Sequence, residues 1–256
     1  MKSLFENRSR ALPPIMAMLT ALFLLAELGF WIAVQLDFKG YNHLVDYAAV
    51  IVAVAFGLLT ALANPGGEWL LRIGLIFTLF ADYHLVYSYP MDRMLGMVFF
   101  NITQISYFLY LLFEDASKKK RIIHLGVRAL AVGVAVLLCY LVLGEGADTL
   151  SVISMIYFAN LAISALWCLV SRRFLLFAGL VAFALCDVTV GMQALIDLYM
   201  DVPVGSFMWQ IVHSDFNFIW FFYVPSQTII ALTALGKCGW ESIFSVFKNK
   251  HLRSKM

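Results

Sequence analysis

The chain of 256 residues is 62% hydrophobic and 13% charged, with a mean hydropathy of +0.87 and a net charge of +2. A soluble domain is about half apolar and a quarter charged, so that class is excluded, together with a disordered chain and a disulfide scaffold. The charge is too small for a nucleic-acid partner, and about 160 apolar residues suffice for eight bilayer-spanning helices of ~20 residues.

The first apolar run extends from Pro13 to Val34. It is too long for the core of a signal peptide and is expected to stay as the first span, after a cytoplasmic segment 1–12. Further spans are expected at 43–62, 69–89, 94–113, 122–143, 149–170, 174–196 and 216–236. Breaks such as Asn64-Pro65-Gly66-Gly67, Glu114 to Arg121 and Gly144-Glu145-Gly146 separate them. No two-residue alternation marks a barrel, so the spans read as helices. The expected fold is all-α: a polytopic transmembrane bundle of eight helices forming one domain, 13–236. Of the 18 lysines and arginines, only Lys39 and Arg93 fall on one side. The others, Arg72, Arg128, Arg172 and Arg173 among them, count with the N-terminus, which places both termini in the cytoplasm. After the last span, Trp240, Ile243, Phe244 and Phe247 recur at helical spacing beside Lys248, Lys250 and Arg253. They predict a cytoplasmic amphipathic tail, 237–256, lying among the headgroups. Cys139, Cys168, Cys186 and Cys238 lack metal-ligand spacing and read as small hydrophobes.

Ionisable groups inside a bilayer cost several kcal/mol, so they mark the first places to look for function. Glu27, Asp82 and Asp187 lie deep in three different spans at about one level. Asn101, Gln104, Asn160, Tyr223 and Gln227 fall in the same layer, and Tyr107 lies one turn beyond Gln104. Pro225, between Tyr223 and Gln227, removes a donor and frees the carbonyl of Phe221. With no basic residue expected at the depth of Asp82 and Asp187, at least one of the two should hold a proton. The amides have an alternative use as hydrogen-bonding glue between helices. No nucleophile elbow, HExxH, P-loop or dinucleotide fingerprint is present, and neither a cofactor nor a metal is expected. A zinc site made by His43, His84 and His213 is the remaining metal alternative.

Four segments carry a family resemblance. They are Leu79-Phe80-Ala81-Asp82, then Phe100 with Gln104 and Tyr107, then Phe183-Ala184-Leu185-Cys186-Asp187, and Tyr223-Val224-Pro225-Ser226-Gln227. In order and spacing the chain resembles the YhhN-like membrane proteins, the lysoplasmalogenase family. Ala81, Gln104 and Cys186 depart from the Gly, His and Ser frequent in that family. The resemblance implies a multi-pass hydrolase of a bacterial cytoplasmic membrane. Its substrate would be a lysophospholipid whose vinyl ether bond is cleaved to a fatty aldehyde and a glycerophospho-ethanolamine or -choline. Two carboxyl groups of separated acidity suit that chemistry. Asp82 and Asp187 are therefore the expected catalytic pair, with Gln104, Tyr107, Asn160, Tyr223, Gln227 and Glu27 expected to bind substrate or water. A small-solute or proton-coupled transporter and a non-enzymatic membrane protein are the competing readings.

Overall fold

A computed structural model describes residues 2–36, 42–115 and 117–253, with side chains from 12 to 245 within those ranges except at 42. Among the described residues all regular structure is helical. The helices are α1 (Lys2–Ala33), α2 (Asn42–Leu59), α3 (Trp69–Asp82), α4 (Arg93–Glu114), α5 (Lys118–Leu143) and α6 (Thr149–Val170). They continue with α7 (Phe174–Leu198), the short α8 (Phe207–Val212), α9 (Phe218–Thr233) and α10 (Gly236–Arg253). Seven are long and apolar enough to cross a membrane, and α9 with the start of α10 makes an eighth only as a pair bent by 85°. The expected straight span 216–236 is thus a helix of 16 residues, about 24 Å long, followed by a sharp turn.

That turn requires glycine. Gly236 has φ +60°, and a Cβ there would come within 2.4 Å of Asn64 Nδ2 and 2.9 Å of Glu68 Oε1. Beyond it, Ile243 is buried and Trp240 packs against the core, while Phe244 is exposed. The tail helix therefore rests part of its apolar face on α1 and the bundle instead of on lipid. The side chains of Phe247, Lys248, Lys250 and Arg253 lie outside the described residues.

Contacts run α2–α3–α4–α6–α7–α9 and back to α2, closing a ring of six helices. Helix α1 lies against α2 and α9, and α5 leans on α6 from outside. Small residues permit the close approaches. A Cβ at Gly74 of α3 would fall 2.2 Å from the Tyr107 ring of α4, and one at Gly179 of α7 would press on Ile229 and Ile230 of α9 at 3.2 and 3.1 Å.

Arg72 closes the ring at its cation-rich end. It is fully buried and donates to the carbonyls of Gly57 (3.2 Å), Asn64 (3.1 Å), Gly67 and Ala234 (3.2 Å), and to Thr60 Oγ1 (3.2 Å). One cation thus satisfies carbonyls left over where α2 and α9 end, and opposes the negative ends of both helix dipoles. Three side chains spaced four residues apart, two on α1 and one just beyond its end, fasten it to α9. Gln35 exchanges hydrogen bonds with the Asn217 backbone (3.0 and 3.2 Å), and Glu27 accepts from Thr228 (3.3 Å). Between them, Trp31 donates its indole N–H to the Phe221 carbonyl at 2.9 Å, the group that Pro225 leaves without its helical partner.

Candidate functional site

The polar layer takes its position from α2, α3, α7 and α9. Asp82 is the last residue of α3 before the backbone widens into a π-helical turn, Tyr83–Tyr87, which replaces the plain helix expected to residue 89. Such turns are often found where a helix must re-aim side chains at a functional site. The Asp82 carboxyl is 3% exposed and accepts the Tyr223 hydroxyl of α9 at 2.5 Å. Asp187 on α7 is half-buried and accepts the Tyr157 hydroxyl of α6 at 2.6 Å. Each carboxyl is therefore held by one phenol from a different helix.

Phe183, one turn below Asp187, stands between the two phenols. Its ring centre is 5.4 Å from that of Tyr223 and 6.3 Å from that of Tyr157, with Phe100 at 5.7 Å. An aromatic cluster joins the two tyrosines, and the Cys186 thiol lies near both acids. Asp187 and Asp46 lie near enough to Asp82 for the three acids to influence one another. Asp46, on α2, was not singled out from the sequence. It is 5% exposed and its Oδ1 has no partner among the described residues. Asp46, Asp82 and Asp187 each lie thirteen residues from the cation-rich end of their helix, about 20 Å along it.

The rest of the layer divides. Gln104 is 1% exposed, and among the described residues both its amide atoms, the buried Tyr107 hydroxyl and Gln227 Oε1 have no partner. Gln227 Nε2 donates to Ser226 Oγ at 3.2 Å. Buried polar atoms are paired in the great majority of cases, so these free ones stand out against the rest of the bundle. Glu27 is not brought to Asp82; it faces Thr228, on another side of α9 from Tyr223 and Gln227.

Asn160 belongs to a different cluster, and this corrects two expectations. Arg128 does not reach the membrane surface: it sits ten residues into α5, about 15 Å along it, and is 6% exposed. Its guanidinium donates to Asn160 Oδ1 (2.8 Å), the Asn160 carbonyl (3.3 Å) and Ser164 Oγ (2.9 Å). It also meets His124 Nε2 at 3.2 Å and lies over the Phe108 ring at 4.3 Å. His124 stacks on Trp167 at 4.1 Å, and Trp167 donates to Asp115 at 2.8 Å. Asn160 is thereby fixed by a cation of its own and is not free to serve Asp82 or Asp187. A basic residue does stand within the bundle, though not against the two acids. Asn101, placed in the same layer by sequence, donates to the Met97 and Ile153 carbonyls at 2.9 and 3.3 Å and acts as glue between α4 and α6.

Above the layer, at the cation-poor end, a cavity of about 710 Å³ opens between α1, α7 and the segment from α8 to α9. Gln35, Thr189, Gln193, Asp215, Asn217 and Trp220 are among its lining residues. Trp220 meets Tyr223 edge-on at 5.2 Å, and Thr189 is one turn above Cys186 on the same face of α7. The cavity floor is therefore one residue layer from the Asp82–Tyr223 pair. A smaller cavity, about 270 Å³, lies at the opposite end among Glu114, Asp115, Lys120 and Arg173.

Over residues 41–234, three quarters of its length, the sequence matches the YhhN family. The chain is a YhhN-family protein. No curated protein and no solved structure matches it. The matched region spans α2 to α9 and holds both Asp–Tyr pairs, so this YhhN protein carries its polar layer wholly within the family's shared part. Among the described residues no three His, Cys, Asp or Glu side chains converge as metal ligands. His84 stacks on Phe99 and His213 on Trp209 instead.

Proposed function

We propose that this YhhN-family protein is a membrane-embedded hydrolase that cleaves the vinyl ether bond of lysoplasmalogens by carboxyl acid/base catalysis. The observation that carries the reading is the buried Asp82–Tyr223 pair, one residue layer below the 710 Å³ cavity, together with the Asp187–Tyr157 pair. In the reaction a carboxyl proton goes to the alkene carbon remote from the ether oxygen, leaving an oxocarbenium ion that a neighbouring carboxylate stabilises. Water adds to that ion and returns its proton to the carboxylate. The hemiacetal then collapses to a fatty aldehyde and the glycerol hydroxyl of the head. Tyr223 orients Asp82, while Gln104, Gln227 and Tyr107 present free polar atoms to water or to the substrate's hydroxyl. In this reading Glu27 and Asn160 hold helices together and do not touch substrate.

The competing reading, a transporter, needs a polar path to both ends. Below the layer the ring is filled by Leu71, Leu75, Leu176 and Leu180, all at most 1% exposed, and closed by Arg72, which favours a pocket with one mouth.

Incubation of the purified protein with a lysoplasmalogen should release aldehyde, whereas a saturated lysophospholipid should not. Asp82→Asn and Asp187→Asn should each lower the rate by at least about a hundredfold, the scale of an acid/base contribution, with an unchanged melting temperature. Full activity in either folded variant would remove that residue from the mechanism.

A further inference from the structure

The proposed reaction leaves Asp46, a buried acid of the same layer, without a task. The direction of its side chain follows from contacts further along α2. Ala49, Val50, Ala53 and Gly57 share its helical face, and all are buried. A Cβ at Gly57 would lie 2.6 Å from Leu75 Cδ1 and 4.0 Å from the Ala231 Cβ, so this face looks into the groove between α3 and α9. Leu75 is two turns from Asp82 on one face of α3, while Ala231 is one turn from Gln227 and two from Tyr223 on α9. Followed toward the cation-poor end, these faces bring Asp46, Asp82 and Tyr223 to levels within about 6 Å of one another. Tyr47, the next residue, turns outward instead. Its hydroxyl donates to the Leu79 carbonyl at 3.4 Å and its ring stacks on the exposed Tyr87 at 5.2 Å.

Arg72, at the opposite end, is the only lysine or arginine of α2, α3 and α9. His43, one turn before Asp46, is exposed, and Glu27 of α1 is turned to Thr228. Tyr223 donates to Asp82, and Asp46 Oδ1 is buried with no partner among the described residues. Two carboxyls that face one groove without a cation can divide the roles of acid and base between them. We infer that Asp46 is a further catalytic carboxyl, the base that serves the attacking water while Asp82 serves as the acid. The inference rests on the hydrolase reading and leaves Asp187 to stabilise the cation. Asp82 passes its proton to the alkene carbon, whose π pair forms the new C–H bond. Water then adds to the oxocarbenium carbon, and its proton goes to Asp46. As the hemiacetal collapses, the bond to the glycerol oxygen breaks and that oxygen takes the proton from Asp46. The hemiacetal hydroxyl proton returns to Asp82, and both carboxyls end as they began.

The test follows aldehyde release from a lysoplasmalogen across pH in the wild type, Asp46→Asn and Asp46→Glu. Asp46→Asn should lower kcat by at least about a hundredfold and leave KM unchanged. The acid limb of its kcat profile, where the base is protonated, should disappear. Asp46→Glu should recover part of the rate together with the limb, which a mere packing role would not produce. A kcat near that of the wild type, or an acid limb that survives Asp46→Asn, would overturn the role. If Asp46→Asn does not fold, an undiminished rate in Asp46→Glu, whose carboxyl is displaced by a methylene, would do the same. Infrared spectra of the protein in bilayers need no turnover and separate this failure from that of the hydrolase reading. The protonated-carboxyl band that Asp82→Asn removes should shift in Asp46→Asn. An unmoved band would overturn the pairing of Asp46 with Asp82 in an active enzyme as in an inactive one. A shifted band in a protein that releases no aldehyde would overturn the hydrolase reading, and the base role with it, while the pairing stands.

Discussion

Asp148 shows what a carboxylate does at a helix start. It accepts the Ser151 N–H at 2.8 Å while Ser151 Oγ accepts the Asp148 N–H at 2.9 Å, a reciprocal cap for α6. The Ser151 N–H holds the Asp148 carboxyl below the usual carboxylate range. A carboxyl lowered on folding stabilises above its unfolded value and loses that contribution as acid protonates it. Asp148→Ala should therefore lower stability by about 1 kcal/mol at pH 7. The difference between variant and wild type should fade below about pH 4 in thermal melts taken across pH. Asp82 and Asp187 obey other rules, and these made them legible in the sequence: a carboxyl in mid-span is expensive wherever it points. Asp46 escaped because four residues from a helix start look like an interface, whereas the ring folds that position inward to 5% exposure. Asn160 was misjudged because depth along a helix says nothing about direction around the bundle; its side chain faces α5, not α7.

Among the elements, α5 depends most on a few residues. It lies outside the ring, most of its apolar surface faces lipid, and Arg128 is its principal polar fastening to α6. Between helices in lipid such hydrogen bonds are worth roughly 0.6–2 kcal/mol each, because no hydrophobic drive pulls the helices together. Arg128→Met should free Asn160 and Ser164 and loosen α5 before the ring itself opens. Limited proteolysis in the 144–148 connection should speed up in that variant, while aldehyde release, made inside the ring, should fall little. The span itself was legible from hydropathy, but Arg128 counted with the surface cations, since a start at residue 122 rather than 118 brings the arginine a turn nearer the cation-rich end. The Pro225 break in α9 was readable, for a proline must free the carbonyl four residues earlier; that Trp31 fills the gap depends on packing no local pattern encodes.

At the scale of the whole molecule, the two ends differ in charge and in closure. Arg72 seals the cation-rich end, and the large cavity opens at the other. The distribution of Lys and Arg predicts that the sealed end faces the cytoplasm. Cys238 is a natural reporter, being exposed at that end, whereas Cys139, Cys168 and Cys186 are buried. In intact cells a membrane-impermeant maleimide should leave Cys238 unlabelled, and opening the cells should expose it; labelling from outside would reverse the orientation. Seven of the eight expected spans were visible in hydropathy as single helices and the eighth is a bent pair, but ring closure was not visible, because it is decided by small residues such as Gly74 and Gly179 meeting bulky partners on distant segments.

The shortness of α9 has a mechanical consequence. Its 16 residues reach about 24 Å against a hydrocarbon layer of ~30 Å, a mismatch that a local dip of the leaflet beside the cavity would absorb. On the proposed hydrolase reading, a dimple there would shorten the climb for a single-tailed lipid leaving its neighbours and would bring water nearer a carboxyl walled by aromatic rings. Thicker membranes should resist the dimple, so turnover ought to decline as host acyl chains lengthen.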